Sequence, residues 1–270
     1  MSTGGEFSRR KCREKDTKVN LFMLPFAGGS FYAYRSIEQA FSGAISAEGI
    51  DLPGHGKRLD MPLLTDIRRM ADHVVASLRF RLDAPYALFG HSMGATLGYL
   101  VAKRIIRQGL PRPLHLFCTG RKAPTVPGRA EGIHALPGDL FVEKLKGYDG
   151  IPAALLAERE LLAFFEPILR ADFEAIGTYR YTPAPPLDLP ITVMIGHEDK
   201  ATFAEACRWQ EVSCQPVRVK QFQGKHFFIF DHAPALARII EGTLVGVQAG
   251  ESRLCHGADQ DRMGRLVRDV

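Results

Sequence analysis

The chain has 270 residues, of which 46% are hydrophobic and 24% charged, and its formal net charge is +5. This composition is ordinary for a globular protein, and no apolar run approaches the roughly 20 residues that span a bilayer, so we expect no membrane segment. The basic residues are not interleaved with stacking aromatic residues in the body of the chain, so nucleic-acid binding is not expected either.

A chain of this length can bury a large core in one domain. We predict that domain over residues 18–248, between a disordered leader of residues 1–17 and a charged tail of residues 249–270. The N-terminal residues are charged and lack the apolar segment of a secretory signal. Five cysteines without Cys-x-x-Cys spacing fit reduced thiols, so we expect a cytoplasmic protein.

Predicted strands alternate with predicted helices along most of the chain. Strands are expected at residues 19–24, 45–50, 86–89, 114–119, 191–195 and 217–222. Helices are expected at residues 31–41, 65–82, 95–102, 203–209 and 233–247, and Thr65 is predicted to cap the second of them. This alternation predicts an α/β fold with a mainly parallel central sheet and helices on both faces.

The alternation breaks after the strand at residues 114–119. A stretch rich in Pro, Gly and charge is followed by helical patterns at residues 139–147 and 158–179. We therefore predict a helical lid, inserted at about residues 121–186 over the ends of the strands. The alternative is a pair of ordinary crossover helices.

Gly90, Ser92 and Gly94 form the pattern Gly-x-Ser-x-Gly where the strand at residues 86–89 gives way to a helix. A serine on so sharp a turn presents its hydroxyl at the start of the helix, and the glycines avoid backbone clashes. The amide of Met93 can then face an oxyanion that forms on a substrate carbonyl. Ser92 is therefore the predicted nucleophile of a hydrolase.

A second oxyanion donor is expected from the Gly-rich loop that follows the first strand, at residues 25–30. A serine hydroxyl also needs a base within hydrogen-bond reach and an acid that orients the base. Asp199 and His226 each follow a strand, so they are expected at the sheet edge that holds Ser92, in the α/β-hydrolase order Ser, Asp, His. The rivals for these two roles are His55, His197, Glu198 and Asp231.

His91 is adjacent to the serine, but its side chain is expected to point away from the turn. No His-Glu-x-x-His pattern or paired Cys/His cluster predicts a metal site, and Gly-x-Gly-x-x-Gly spacing is missing, so no cofactor is expected. A dehalogenase or epoxide hydrolase would need a carboxylate in place of Ser92. The expected reaction is therefore acyl transfer to water.

Seven motifs together resemble one known family. They are the residues 25–30, 53–56 with Arg58, 89–94, 169–173, Tyr179, 196–199 and 224–227. They look like a type II thioesterase, one of the stand-alone editing enzymes of the α/β-hydrolase superfamily that accompany nonribosomal peptide and polyketide synthases. The likeness covers residues from about 19 to 245. One departure is His55, where many members carry Arg.

By that resemblance, Ser92, Asp199 and His226 form the catalytic triad, and the amides of Ala27 and Met93 form the oxyanion hole. The resemblance implies hydrolysis of acyl or aminoacyl thioesters on the phosphopantetheine arm of carrier domains, by an enzyme that we expect to be monomeric. Such hydrolysis clears aberrant or stalled intermediates from a synthase.

Two other functions remain open. The first is a medium-chain acyl thioesterase or carboxylesterase that acts on free small substrates. The second is a non-catalytic interaction protein on a hydrolase scaffold, against which an intact triad argues.

Overall fold

In the part of the chain that the structure describes, the central sheet has six parallel strands in the order β2-β1-β3-β4-β5-β6. The computed structural model describes residues 18–128, 132–147 and 158–247, so the predicted leader and tail lie outside the described residues. The strands are β1 (Val19–Leu24), β2 (Ile45–Gly49), β3 (Tyr86–His91), β4 (Leu116–Thr119), β5 (Ile191–Gly196) and β6 (Val217–Phe222). This sheet confirms the predicted α/β class.

Helices cover both faces of the sheet. The α-helices of the described residues are α1 (Arg35–Glu38), α2 (Ile67–Leu78), α3 (Met93–Arg107), α4 (Gly138–Lys146), α5 (Arg159–Gly177), α6 (Phe203–Cys207), α7 (Phe228–Asp231) and α8 (233–247). Short 3-10 helices occur at Phe31–Tyr34, Gly56–Arg58, Arg79–Arg81, Ile133–Ala135 and Arg208–Val212. Among these helices, none is long and apolar enough to cross a membrane.

The two faces of the sheet bury separate hydrophobic clusters, because side chains alternate along each strand. In β1, Phe22 and Leu24 join the cluster formed with α2 and α3, whereas Leu21 and Met23 join the cluster formed with α7 and α8. Strand β3 is buried along its whole length. Central strands covered on both faces have continuous apolar sequences, which explains why the sequence pattern revealed them.

The first two predicted helices begin differently from the observed ones. The helix predicted at residues 31–41 is a 3-10 turn followed by the four residues of α1. The prediction that Thr65 caps α2 is wrong, because the N-cap is Asp66, whose carboxylate accepts the amide of Arg68 at 2.6 Å. Asp66 directly precedes the first helical residue, where an acceptor can reach the free amides of the first turn.

Helices α4 and α5 lie between β4 and β5, in the insertion expected at about residues 121–186. Residues 129–131 and 148–157 of this insertion lie outside the described residues. A small hydrophobic cluster, distinct from the two clusters of the sheet, joins the two helices; its buried members are Ile133, Phe141, Leu145 and Leu169. The insertion therefore packs partly on itself.

Candidate active site

Ser92 occupies the sharp turn between β3 and α3, and β3 extends to His91, two residues beyond the predicted end. Among the described residues, Ser92 is the one non-glycine residue with a positive φ, at 54°. A Cβ atom at Gly90 would lie 2.1 Å from the carbonyl oxygen of Gly94, and one at Gly94 would lie 2.3 Å from that of Leu24. Both glycines are therefore required by close backbone approach at this turn.

The hydroxyl of Ser92 is not used to hold the turn together. Ser92 is the N-cap residue of α3, yet within the described residues its side chain makes no capping hydrogen bond. Its amide donates instead to the carbonyl oxygen of Thr119, at 2.8 Å, which ties the turn to the end of β4. The side chain is half-buried and lines a cavity. The hydroxyl is thus available for chemistry.

Asp199 and His226 come together at the same edge of the sheet, although 27 residues separate them in sequence. The Nδ1 atom of His226 lies 3.0 Å and 3.1 Å from the two carboxylate oxygens of Asp199. The Asp199 side chain is 1% exposed and that of His226 is 24% exposed. A carboxylate at Nδ1 keeps the proton on that nitrogen, so Nε2 of His226 carries the free lone pair.

The loops after β5 and β6 pack tightly, which fixes this pair. A Cβ atom at Gly196 would lie 2.3 Å from the carbonyl oxygen of Lys225, and the amide of Glu198 donates to Gly224 at 3.0 Å. The side chain of Glu198 is exposed, whereas the carboxylate that contacts the His226 ring is that of its neighbour Asp199.

Ala27 and Met93, the predicted oxyanion donors, line the same cavity as Ser92. Met93 is the first residue of α3, where backbone amides have no partner within the helix. Ala27 belongs to a turn closed by a hydrogen bond from the amide of Gly29 to the carbonyl oxygen of Phe26, at 2.8 Å. The positive end of the helix dipole also favours negative charge near Ser92.

The cavity has a volume of about 650 Å3 and is bounded partly by the insertion. Ser92, Asp199 and His226 all line it. Its apolar wall is formed by Phe26, Met93, Ile133, Leu169, Phe173, Ile176 and Phe227, and its basic side chains are Arg121, Lys122, Lys144 and Lys200. A mostly apolar wall with a few charged groups suits an acyl chain attached to a polar arm.

The side chain of His91 is fully buried, and its ring lies 4.7 Å from the ring of His226, measured between centroids. Thr119 donates its hydroxyl proton to Gly90, so its oxygen accepts the proton on Nδ1 of His91, at 3.0 Å. Burial and the neighbouring His226 hold the pKa of His91 well below its usual value. His91 is therefore a neutral ring packed against His226.

The other buried histidines have partners of their own. His115 lies 2.9 Å from the hydroxyl of Thr192, and burial lowers its pKa to about 4. His55 contacts the buried carboxylate of Asp172, with 3.0 Å between Nε2 and Oδ2. The side chain of His197 is exposed. Neither of the two rival bases, His55 and His197, therefore makes the contact with Asp199 that His226 makes.

Sequence reasoning missed the role of Asp172 as a partner of His55. The signal was present, because Asp172 is an acidic residue on the buried side of a strongly amphipathic helix, next to apolar Leu169 and Phe173. A carboxylate is rarely buried without a cation or several hydrogen-bond donors, so such a position predicts a partner. Its identity could not be read from the sequence, because His55 lies 117 residues away.

Comparisons with known proteins agree with this fold. A family model described as the thioesterase domain matches residues 19–244. The gramicidin S biosynthesis protein GrsT of Aneurinibacillus migulanus is 32% identical over 215 residues, which cover 79% of this chain and 84% of GrsT. The solved structure of the type II thioesterase BorB from the borrelidin biosynthetic cluster is 34% identical, with a TM-score of 0.77, and covers 84% of this chain and 93% of BorB.

A more distant relative is the medium-chain S-acyl fatty acid synthase thioesterase of Homo sapiens. It is 28% identical over 242 residues, which cover 86% of this chain and 88% of that protein.

The parallel sheet and the strand-turn-helix serine elbow are those of an α/β-hydrolase. The chain belongs to the thioesterase domain family, a family of thioester hydrolases. This membership confirms the fold and the reaction class expected from the sequence motifs.

Proposed function

We propose that this protein is a serine thioesterase that removes aberrant or stalled acyl and aminoacyl groups from the phosphopantetheine arm of carrier domains in polyketide or nonribosomal peptide biosynthesis. The observation that carries the proposal is the cavity in which Ser92 and the His226–Asp199 pair meet beneath the insertion. The relatives GrsT and BorB, which belong to biosynthetic systems by name, support the same assignment.

In this proposal Nε2 of His226 removes the proton of Ser92 as the serine oxygen attacks the thioester carbonyl. Asp199 holds the imidazole in the required tautomer and stabilises the imidazolium. The amides of Ala27 and Met93 donate to the oxyanion of the tetrahedral intermediate. The C–S bond then breaks and the thiol leaves with the proton from His226. Water next attacks the acyl-serine carbonyl with His226 as the base, the C–O bond to Ser92 breaks, and the serine oxygen regains its proton from His226.

A neutral His91 suits this proton transfer. A second positive ring 4.7 Å from His226 would raise the energy of the imidazolium that forms during catalysis. Because the pKa of His91 is held low, the pair of rings carries at most one positive charge during catalysis. We assign His91 to packing against the base and not to proton transfer.

The experiment that tests the function compares three substrates with one acyl group: a thioester on a carrier domain, the matching N-acetylcysteamine thioester and the matching oxygen ester. We expect the highest kcat/KM on the carrier-bound thioester and the lowest on the oxygen ester. Ser92→Ala is the inactive control, which should still fold because the glycines and not the hydroxyl set the turn. Ser42→Ala makes the same substitution at an exposed site and should keep its activity.

A preference for free thioesters would favour the medium-chain acyl thioesterase, the function that the human relative suggests. A preference for oxygen esters would indicate a carboxylesterase, and no turnover of any ester by the wild type would indicate the interaction protein. We expect the active species to be a monomer in solution, which sedimentation at working concentration checks.

A further inference from the structure

The loop that carries Ala27 is a tight turn whose central peptide can adopt two orientations. Residues 26–29 are closed by the bond from the Gly29 amide to the Phe26 carbonyl, and Gly28 has a φ of 77°. A positive φ at the third residue is the pattern of a type II turn, which differs from type I by a flip of the central peptide. The amide of Gly28 belongs to that peptide.

The carboxylate of Asp172 captures this amide. The distance from the Gly28 amide nitrogen to Oδ2 of Asp172 is 2.7 Å, and the two residues are 144 positions apart. Asp172 lies on α5, within the insertion, and its side chain is fully buried. A flipped central peptide would turn the Gly28 amide away from this acceptor, so the hydrogen bond selects the observed turn.

His55 holds the carboxylate in turn. Its Nδ1 donates to the carbonyl oxygen of Pro53 at 3.0 Å, and its Nε2 donates to Oδ2 of Asp172 at 3.0 Å. With a proton on each nitrogen, His55 is an imidazolium. Burial opposes this charge, but the hydrogen bond and charge of Asp172 together with Asp51 raise the pKa of His55. Within the described residues, Oδ1 of Asp172 has no partner.

The position of the turn, and not the flip of its central peptide, matters for Ala27, because the amide of Ala27 belongs to the preceding peptide. The Phe26 carbonyl points at Gly29, and in a trans peptide the amide of Ala27 then points the opposite way. Leu169 of the same helix packs against the turn, since a Cβ atom at Gly28 would lie 2.6 Å from its Cδ2 atom. Helix α5 therefore contacts the loop of the predicted oxyanion donor through both a carboxylate and an apolar side chain.

We propose that Asp172 is a positioning residue for the oxyanion hole: held by the His55 imidazolium, it binds the Gly28 amide, fixes the turn in place, and so keeps the Ala27 amide beside the developing oxyanion. The inference rests on the proposed hydrolysis at Ser92. Asp172 touches neither substrate nor the reacting atoms. It acts on the transition state through the backbone, and it makes the oxyanion hole depend on the insertion.

The test separates transition-state binding from substrate binding. Asp172→Asn is nearly isosteric and keeps a weaker acceptor, whereas Asp172→Ala removes the acceptor. With the butyryl thioester of N-acetylcysteamine, we expect kcat to fall about tenfold for Asn and about a hundredfold for Ala, approaching the loss of one oxyanion donor, with KM within about twofold. His55→Gln leaves the carboxylate in place and should show a smaller loss of the same kind.

Two ligands give the decisive measurement. A butyl trifluoromethyl ketone forms an oxyanion adduct with the serine, and the matching thioether cannot. We expect the variants to weaken binding of the ketone by the same factor by which they lower kcat, and to leave binding of the thioether unchanged. Glu166→Gln is the matched control, because it removes the ion pair with Arg170 on the same helix without touching the turn.

Equal weakening of both ligands, or a higher KM with unchanged kcat, would show that Asp172 only anchors the helix, and would overturn the inference. If Asp172→Ala fails to fold, Asp172→Asn and His55→Gln test the inference through the same comparison of ketone binding with thioether binding. If the wild type neither cleaves the thioester nor binds the ketone, the proposed function itself has failed, which is a separate outcome.

Discussion

At the scale of single residues, two adjacent acids with different surroundings make a sharp prediction. Asp199 is buried and contacts His226, whereas the neighbouring Glu198 is exposed at the cavity rim. We expect Asp199→Asn to lower kcat about a thousandfold or more, because an amide favours the wrong tautomer of the histidine. Glu198→Gln should cost less than about threefold.

Steady-state kinetics on one thioester, with thermal unfolding as a check on the fold, measures both effects. The two substitutions change charge and shape equally at consecutive positions, so each is the control of the other. A larger loss for Glu198→Gln would contradict the assignment of Asp199 as the acid.

His55 makes the stability of the protein depend on pH. Burial lowers the pKa of His55, but the hydrogen bond and charge of Asp172 outweigh burial, and Asp51 in the same loop adds to them, so the folded-state pKa is raised. The stabilisation by protonated His55 is therefore fully present below the unfolded pKa of about 6.5. It is lost as pH rises through the raised folded-state pKa.

His55→Gln measures this dependence. We expect the variant to be less stable than the wild type by about 1.5–3 kcal/mol near pH 6, the range for losing a hydrogen bond to a charged group, and the difference to shrink by about pH 9. Urea unfolding at the two pH values provides the comparison. His197→Gln, at an exposed histidine, should show little difference at either pH, and a pH-independent gap for His55→Gln would contradict the charged pair.

At the scale of secondary-structure elements, the insertion is expected to be less stable than the sheet and to move as a lid. Several of its buried side chains form a small cluster that is separate from the two clusters of the sheet. Arg170 links parts of the insertion, since it donates to the carbonyl oxygens of His134 and Leu136 at 2.7 Å and 2.8 Å and lies 4.1 Å from the ring centre of Phe141. Segments with few buried contacts open more readily than a core.

Amide hydrogen exchange tests this expectation. Amides of α4 and α5 should exchange faster than those of α3 in the wild type. Arg170→Gln should raise exchange in α4 by about tenfold, because it removes hydrogen bonds worth roughly 1–2 kcal/mol, while α3 stays unchanged. Exchange in the insertion no faster than in α3 would contradict a mobile lid.

The elements also differ in how well their sequences revealed them. Strands β1 and β3 could be predicted because both of their faces are buried, so their sequences are continuous apolar runs ended by turn residues. The start of α2 was misplaced by one residue because Thr65 and Asp66 are both good caps, and only the backbone shows which one is used. Strand order is a long-range property, and the sequence pattern does not contain it.

In the candidate site, too, some features could be predicted from the sequence and others could not. Ser92 could be found from a local pattern, since three glycine and serine positions define the turn. Two contacts could not be predicted from the sequence, that of His91 with His226 and the hydrogen bond from Gly28 to Asp172. Each joins residues more than a hundred positions apart through the tertiary fold. Local patterns report the turn, whereas the partners of buried polar groups come from packing.

At the scale of the whole molecule, a net charge of +5 and basic side chains at the cavity predict electrostatic steering of an acidic carrier domain. Arg121, Lys122, Lys144 and Lys146 are the described candidates, and Arg129 lies outside the described residues. Lys122 and Lys146 also lie near acidic partners, Glu205 at 3.7 Å and Glu143 at 3.0 Å. Rim charges act mostly on association rate and are screened within about 8 Å at physiological salt.

We expect kcat/KM on a carrier-bound thioester to fall about three- to tenfold from low to physiological salt, and to change little on the uncharged N-acetylcysteamine analogue. Steady-state kinetics over a salt series on both substrates measures this. The same salt dependence for both substrates would remove the docking role of these charges.

The position of Asp172 on α5 has a consequence for attempts to change which acyl group the enzyme accepts. The same helix supplies the apolar wall at Leu169, Phe173 and Ile176. A graft that exchanges this insertion for one from a relative would alter the pocket and also replace the residue that reaches Gly28. A working chimera must therefore bring an acid that meets both Gly28 and His55, so substrate range and turnover are inherited as one unit.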